Sequence, residues 1–124
     1  MLQIHFLVQG VPKSPRSHSA GPYRQHISQE ASKYFGSPLT ERNVTLIIRH
    51  FYTSRNLLDL DNLQKTIFGA LEGVAYKDDS QIVRVTAERY NISVSYRLEN
   101  PSQEEIEALV HGVDFVSITV STRE

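Results

Sequence analysis

The sequence predicts an α+β fold, a mixed β-sheet with helices packed on it, in the order β-α-β-α-β-β-α-β. Three observations predict it. Short β-branched and aromatic runs recur along the chain, amphipathic stretches at helical spacing lie between them, and glycine and proline clusters mark the joins. The 124 residues suit one domain, 1–124, with a real core. Hydrophobic residues make up 40% of the chain, too many for a disordered one.

The elements follow in order. Residues 2–9 are apolar and partly alternating, so they read as a strand. Three prolines and two glycines make 10–22 a loop, which carries Lys13, Arg16 and His18. Tyr23, Ile27, Ala31, Tyr34 and Phe35 recur every three to four positions, predicting a helix over 23–35 that Gly36-Ser37-Pro38 stops. Residues 43–52 are β-branched and aromatic, a strand. From Asp61, the predicted N-cap, Leu63, Ile67, Ala70, Leu71 and Val74 form one apolar helix face. Asp78-Asp79-Ser80 reads as a turn. Residues 81–98 alternate and form either two strands around Arg89-Tyr90-Asn91 or one bent strand. Asn100-Pro101 opens a short helix whose predicted apolar face is Ile106, Leu109 and Val110, with Gly112 closing it. Residues 113–121 make the last strand.

Composition narrows the function classes. No apolar run approaches the roughly 20 residues needed to span a membrane. The N-terminus has neither a basic leader nor a small-residue cleavage site, so a signal peptide is not expected. The absence of cysteine excludes disulfides and thiolate metal sites and fits a cytoplasmic setting. The net charge of −1 is unevenly spread. Residues 1–65 hold eight basic residues against four acids, and 66–124 hold five against ten. A basic face drawn from the first half is one reading, and a mixed solvated surface is the other. There is no zinc pattern, nucleophilic triad signature or phosphate-cradling glycine loop. The five histidines show no metal-ligand spacing.

The chemistry-bearing stretch is Leu58-Asp59-Leu60-Asp61-Asn62-Leu63-Gln64-Lys65, followed by Tyr76-Lys77-Asp78-Asp79-Ser80-Gln81. Asp59 and Asp61, two apart, share a side of an extended segment. They repel unless a proton or a cation intervenes. Mg²⁺ takes hard oxygen ligands and is commonly held by one or two carboxylates plus water and phosphate. Lys65 lies one helical turn after Asp61. It is placed either to pair with Asp61 or to neutralise charge developing on a phosphate. Taken singly, Asp61 reads as a helix cap, Asn62 as a first-turn residue, Asp78-Asp79 as a solvated turn and Lys65 as a surface charge. Taken together they describe metal-assisted phosphodiester hydrolysis. For Asp79 to join Asp59 and Asp61, the chain must return, and the strand from Gln81 is expected to bring it alongside Asp59.

These residues resemble the RusA family of Holliday junction resolvases, small endodeoxyribonucleases associated with phages and prophages. The family pattern is Asp-x-Asp-Asn, a lysine on the next helix turn, an apolar helix, and Asp-Asp before a strand. Here it stands as Asp59-Leu60-Asp61-Asn62-Leu63-Gln64-Lys65, Ile67-Phe68-Gly69-Ala70-Leu71 and Asp78-Asp79-Ser80-Gln81-Ile82. The first strand leading to Gly10-Val11-Pro12-Lys13-Ser14-Pro15-Arg16 is similar to the family's opening. Gly69 stands where the family often has an acid, and Leu58 where a basic residue is common.

The resemblance implies a Mg²⁺-dependent homodimer that nicks four-way DNA junctions in symmetric pairs during recombination and repair. It implies Asp59, Asp61 and Asp79 as catalytic metal ligands and Lys65 as the catalytic lysine, with Asp78 and Asn62 in supporting positions. Two cuts related by symmetry suit a two-fold dimer. Lys13, Arg16 and Arg55 are candidate phosphate contacts. Two competing readings are a non-cleaving branched-DNA-binding module with the same fold and a protein whose acids hold a stabilising cation.

Overall fold

The computed structural model describes residues 2–15, 20–53, 58–94 and 98–122. Four strands and three helices alternate: β1 (Gln3–Gln9), α1 (Ala20–Ser32), β2 (Val44–Tyr52), α2 (Leu60–Leu71), β3 (Ile82–Asn91), α3 (Gln103–Val110) and β4 (Phe115–Thr122). A 3₁₀ turn at Asp79–Gln81 leads into β3. The choice that the sequence left open over 81–98 resolves to one strand ending at Asn91. Residues 92–94 turn away, and 95–97 lie outside the described residues.

The strands form one mixed sheet in the order β1-β4-β2-β3. β4 runs antiparallel to both β1 and β2, and β2 and β3 are parallel. A parallel pair needs a crossover, and α2 supplies it. The register sets Val44 opposite Ile82, His50 opposite Arg89 and Tyr52 opposite Asn91, with a bulge between Val44 and Thr45. β3 is therefore an edge strand whose start lies beside the start of β2.

Helices α1 and α2 cover one face of the sheet. Their Ile27, Ala31, Leu63, Ile67 and Leu71 pack on Phe6, Val8, Leu46, Ile48, Val116, Ile118 and Val120. The period-two alternation of the strands directs these side chains to that face. The Ser28 hydroxyl donates to the Ala70 carbonyl at 2.7 Å, tying α1 to α2. On the other face a smaller cluster joins Phe51, Phe115 and Ala108 beneath α3, with the Phe51 and Phe115 rings stacked 4.5 Å apart.

Helix α3 departs from expectation in its cap and its buried face. Its N-cap is Ser102, not Asn100. The Ser102 hydroxyl accepts from Glu105 N at 3.0 Å, and Glu105 Oε1 accepts from Ser102 N at 2.8 Å. This reciprocal capping box satisfies two backbone donors. Asn100 instead takes a left-handed conformation, φ 48°. Glu105 and Ala108 are buried, whereas Ile106 and Val110 are 46% and 82% exposed. The helix is turned this way because Glu105 pairs with Arg49 of β2 at 3.4 Å, and Arg49 also pairs with Glu88 of β3 at 3.3 Å.

Candidate active site

The acidic motif begins where β2 has ended and the connection to α2 arrives. Asp59, not Asp61, occupies the N-cap position of α2, and its carboxylate makes no capping hydrogen bond. Its carbonyl accepts from Leu63 N at 2.9 Å, so the backbone is committed to the helix while the side chain is not. Asp61 lies in the first turn. Asp59, Asp61 and Lys65 are exposed and Asn62 is half-buried. Leu63, Thr66, Ile67, Ala70 and Leu71 turn the opposite face of α2 into the core. The amphipathic period thus presents the acids and Lys65 outward. No ion pair joins Asp61 to Lys65 among the described residues.

The loop after β1 is fastened to this helix. The buried Thr66 hydroxyl donates to the Lys13 carbonyl at 3.0 Å, and Pro12 is buried beside it. Lys13 is thereby carried next to the turn of α2 that follows Asn62 and Lys65. Arg16 and Arg55, the other two candidate phosphate contacts, lie outside the described residues, as does His18.

Asp78 and Asp79 sit at the other end of α2. Gln81 builds their turn. Its Oε1 accepts from Lys77 N and Asp78 N, both at 2.8 Å, and its Nε2 donates to the carbonyls of Leu39 and Glu41 at 2.8 and 2.7 Å. The Ser80 hydroxyl donates to Asp78 Oδ2 at 2.6 Å, and that bond first of all holds the Asp78 carboxyl below its usual range. Asp79 N donates to Glu72 Oε1 at 3.4 Å. The neighbouring Tyr76 hydroxyl donates to the Phe68 carbonyl at 3.0 Å, and burial, with the charges of Asp79 and Glu72, pushes its phenol far up.

The expectation that Asp79 reaches Asp59 within one chain is therefore corrected. The strand from Gln81 does pack beside the segment carrying Asp59, but with its far end. Parallel pairing starts β3 beside Val44, and it is Arg89 that meets Leu58. Seven strand steps separate Ile82 from Arg89, roughly 23 Å at strand rise. The twelve residues of α2 span about 18 Å. Among the described residues no three acidic or histidine side chains gather as a metal site. Asp59 and Asp61 offer a hard oxygen-donor pair at one end, and Asp79 offers a carboxylate at the other. The hard oxygen-donor chemistry of Asp59 and Asp61 fits a divalent cation.

Sequence reasoning missed what lies under the Leu58–Asp59 segment. His50 and Arg89 are directly opposite each other in the β2–β3 register. Arg89 Nη2 donates to the Leu58 carbonyl, and Arg89 Nε is buried with no hydrogen-bond partner among the described residues. His50 is 1% exposed, and neither ring nitrogen has a hydrogen-bond partner among the described residues. Burial, reinforced by the Arg89 charge and opposed by Asp114, lowers the His50 pKa to about 4. Alternation from Val85 and Ala87 to Arg89 was the available signal, because it puts a cation on the apolar face of the strand. Nearby, Asp114 Oδ1 accepts from Thr53 N at 3.0 Å and from the Thr53 hydroxyl at 2.7 Å.

No helix is long and apolar enough to cross a membrane among the described residues. No curated protein matches the chain. The family model described as endodeoxyribonuclease RusA matches residues 13–99, well over half of the sequence. That span holds the Lys13 loop, α1, β2, α2, the Asp78-Asp79 turn and β3, and so every candidate site residue. The chain belongs to the RusA family of endodeoxyribonucleases, the Holliday junction resolvases.

Proposed function

We propose that this protein is a divalent-metal-dependent endodeoxyribonuclease that works as a homodimer and resolves four-way DNA junctions by paired, symmetric nicks. Its setting would be cytoplasmic recombination and repair. The observation that carries the reading is the start of α2. There, inside the span matched by the family, two exposed carboxylates with no ion pair among the described residues stand beside the exposed Lys65. Exposed carboxylates and a lysine gathered at a helix start are suited to a cation and a phosphate.

Asp59 and Asp61 are the proposed ligands from one subunit, and Asp79 is the third. A bound Mg²⁺ would lower the pKa of a water molecule and polarise the phosphoryl oxygens. Lys65 then neutralises charge on the phosphate as the bond breaks. Lys13, with Arg16 and Arg55, contacts flanking phosphates. Asn62 flanks the ligands on the first turn, and Asp78 shapes the turn that presents Asp79.

The separation of the acids supports the dimer. β3 is an edge strand with no further strand beside it among the described residues, an arrangement suited to pairing with a second copy. Two copies of β3 paired antiparallel about a two-fold axis would set the start of each strand beside the end of the other. Asp79 of one subunit would then approach Asp59 and Asp61 of its partner. Both sites would be completed by the same symmetry that junction resolution requires.

The test is a nicking assay on junction, fork and duplex DNA with Mg²⁺ or a chelator. The parent should nick the junction in a Mg²⁺-dependent manner, and Asp61→Asn should lose about 10³-fold or more of the rate. Equal cutting by Asp61→Asn would overturn the assignment. Junction binding without Mg²⁺-dependent product would favour the non-cleaving module.

A further inference from the structure

We infer that Arg89 is a positioning residue of the nuclease site, acting on Asp59 through the backbone of Leu58. The inference rests on Asp59 being a metal ligand, as proposed above. It starts from the segment that joins β2 to α2, which is held at both of its described ends. At the first, the Thr53 amide and hydroxyl donate to Asp114 Oδ1. At the second, the Arg89 guanidinium donates to the Leu58 carbonyl, immediately before Asp59.

The second clamp has three properties that a generic surface hydrogen bond lacks. Arg89 rises from β3, a strand fixed to β2 along its whole length, so the donor is anchored to the sheet. Its guanidinium makes no ion pair among the described residues, although its Nε is buried. An uncompensated, partly buried cation is costly to keep. Its register partner is His50, which is buried and holds a pKa of about 4, so it is neutral at physiological pH and adds no charge of its own. The positive charge of Arg89 thus lies under the start of the acidic motif without an ion pair among the described residues. The Asp59 side chain makes no capping hydrogen bond that would orient it on the helix. What aims its carboxylate is the backbone of residues 58–59, and Arg89 fixes that backbone. Arginine suits this task because its planar fork directs donors in fixed geometry, which lysine does not.

The test compares Arg89→Lys and Arg89→Met with the parent and with Asp59→Asn. Three properties are measured: Mn²⁺ affinity by titration without DNA, single-turnover nicking of a four-way junction, and thermal melting. Lysine keeps the charge and the stem, so this variant keeps the fold. The expected result for Arg89→Lys is Mn²⁺ affinity weakened several-fold and the nicking rate lowered about tenfold, measured well below its melting temperature. For Arg89→Met the rate should fall about 100-fold, the scale set by about 1 Å of misplacement. A purely structural role would lower the melting temperature and leave Mn²⁺ affinity of the folded protein untouched. Parent-like Mn²⁺ affinity and rate in Arg89→Lys, with both lost in Asp59→Asn, would overturn the role of Arg89 and leave the site assignment standing. Parent-like behaviour of Asp59→Asn would overturn both.

Discussion

The two ends of α2 carry acids in opposite conditions. At the start, Asp59 and Asp61 are exposed, Asp59 makes no capping bond, and Lys65 has no ion-pair partner among the described residues. At the far end, Asp78 and Asp79 are also exposed, but they sit on a turn secured by four Gln81 hydrogen bonds, by Ser80 and by Glu72. The first end leaves charge unspent by the fold, and the second fixes a carboxylate on a rigid mount. Acids that serve stability are usually capped or paired, and the proposed cation gives the first end the partner that the described residues do not. The second end matters to the same chemistry only if a second copy brings it there.

The largest effect that sharpens this contrast is on catalysis. Asp79→Asn should abolish Mg²⁺-dependent nicking as fully as Asp61→Asn does, although the two residues sit at opposite ends of the helix. Neither variant should shift the melting temperature by more than a few degrees, because neither side chain is buried. Nicking by Asp79→Asn at the parent rate would confine the site to the start of α2.

Gln81→Ala should separate the ends by stability. Truncation strands four backbone groups around a buried side chain. A cost of about 2–3 kcal/mol is expected, lowering the melting temperature by roughly 10 °C. An unchanged melting temperature would mean that the turn is held by other contacts.

The smallest effect concerns the layer beneath the first end. His50 titrates at about 4 in the folded chain against 6.5 when unfolded. Between those values the unfolded chain binds more protons, so stability rises with pH across the window and is lost as pH falls from 6.5 toward 4. His50→Leu should melt at a temperature less sensitive to pH between 4.5 and 7 than the parent does. An identical pH dependence would show that His50 does not set it.

What was legible in the sequence follows from range. The strands and helices could be read because alternation and the 3.6-residue period are local; the observed elements lie within a few residues of their expected bounds, with one strand, ending at Asn91, where the predicted order had two. The acidic motif was equally local. Two things were not. The separation of Asp79 from Asp59 depends on β2 and β3 being parallel with Val44 beside Ile82, which no local pattern encodes. The roles of Arg89 and His50 depend on the same register. The face of α3 was misjudged because its apolar residues suggested burial of Ile106 and Val110, whereas the Arg49 partner of Glu105 decided which side faces the sheet. A buried ion pair between distant residues overrode the local period.

The central claim is that each site is assembled across the two-fold axis, and mixed dimers test it most directly. Asp61→Asn and Asp79→Asn are each inactive as homodimers on this account. When the two are mixed and exchanged, a shared site leaves one of the two centres in each heterodimer fully wild type, and Mg²⁺-dependent nicking of a single junction strand should return. If each site came from one chain, every centre in the mixture would carry a lesion. A mixture proven to contain heterodimers and still unable to nick would contradict the account.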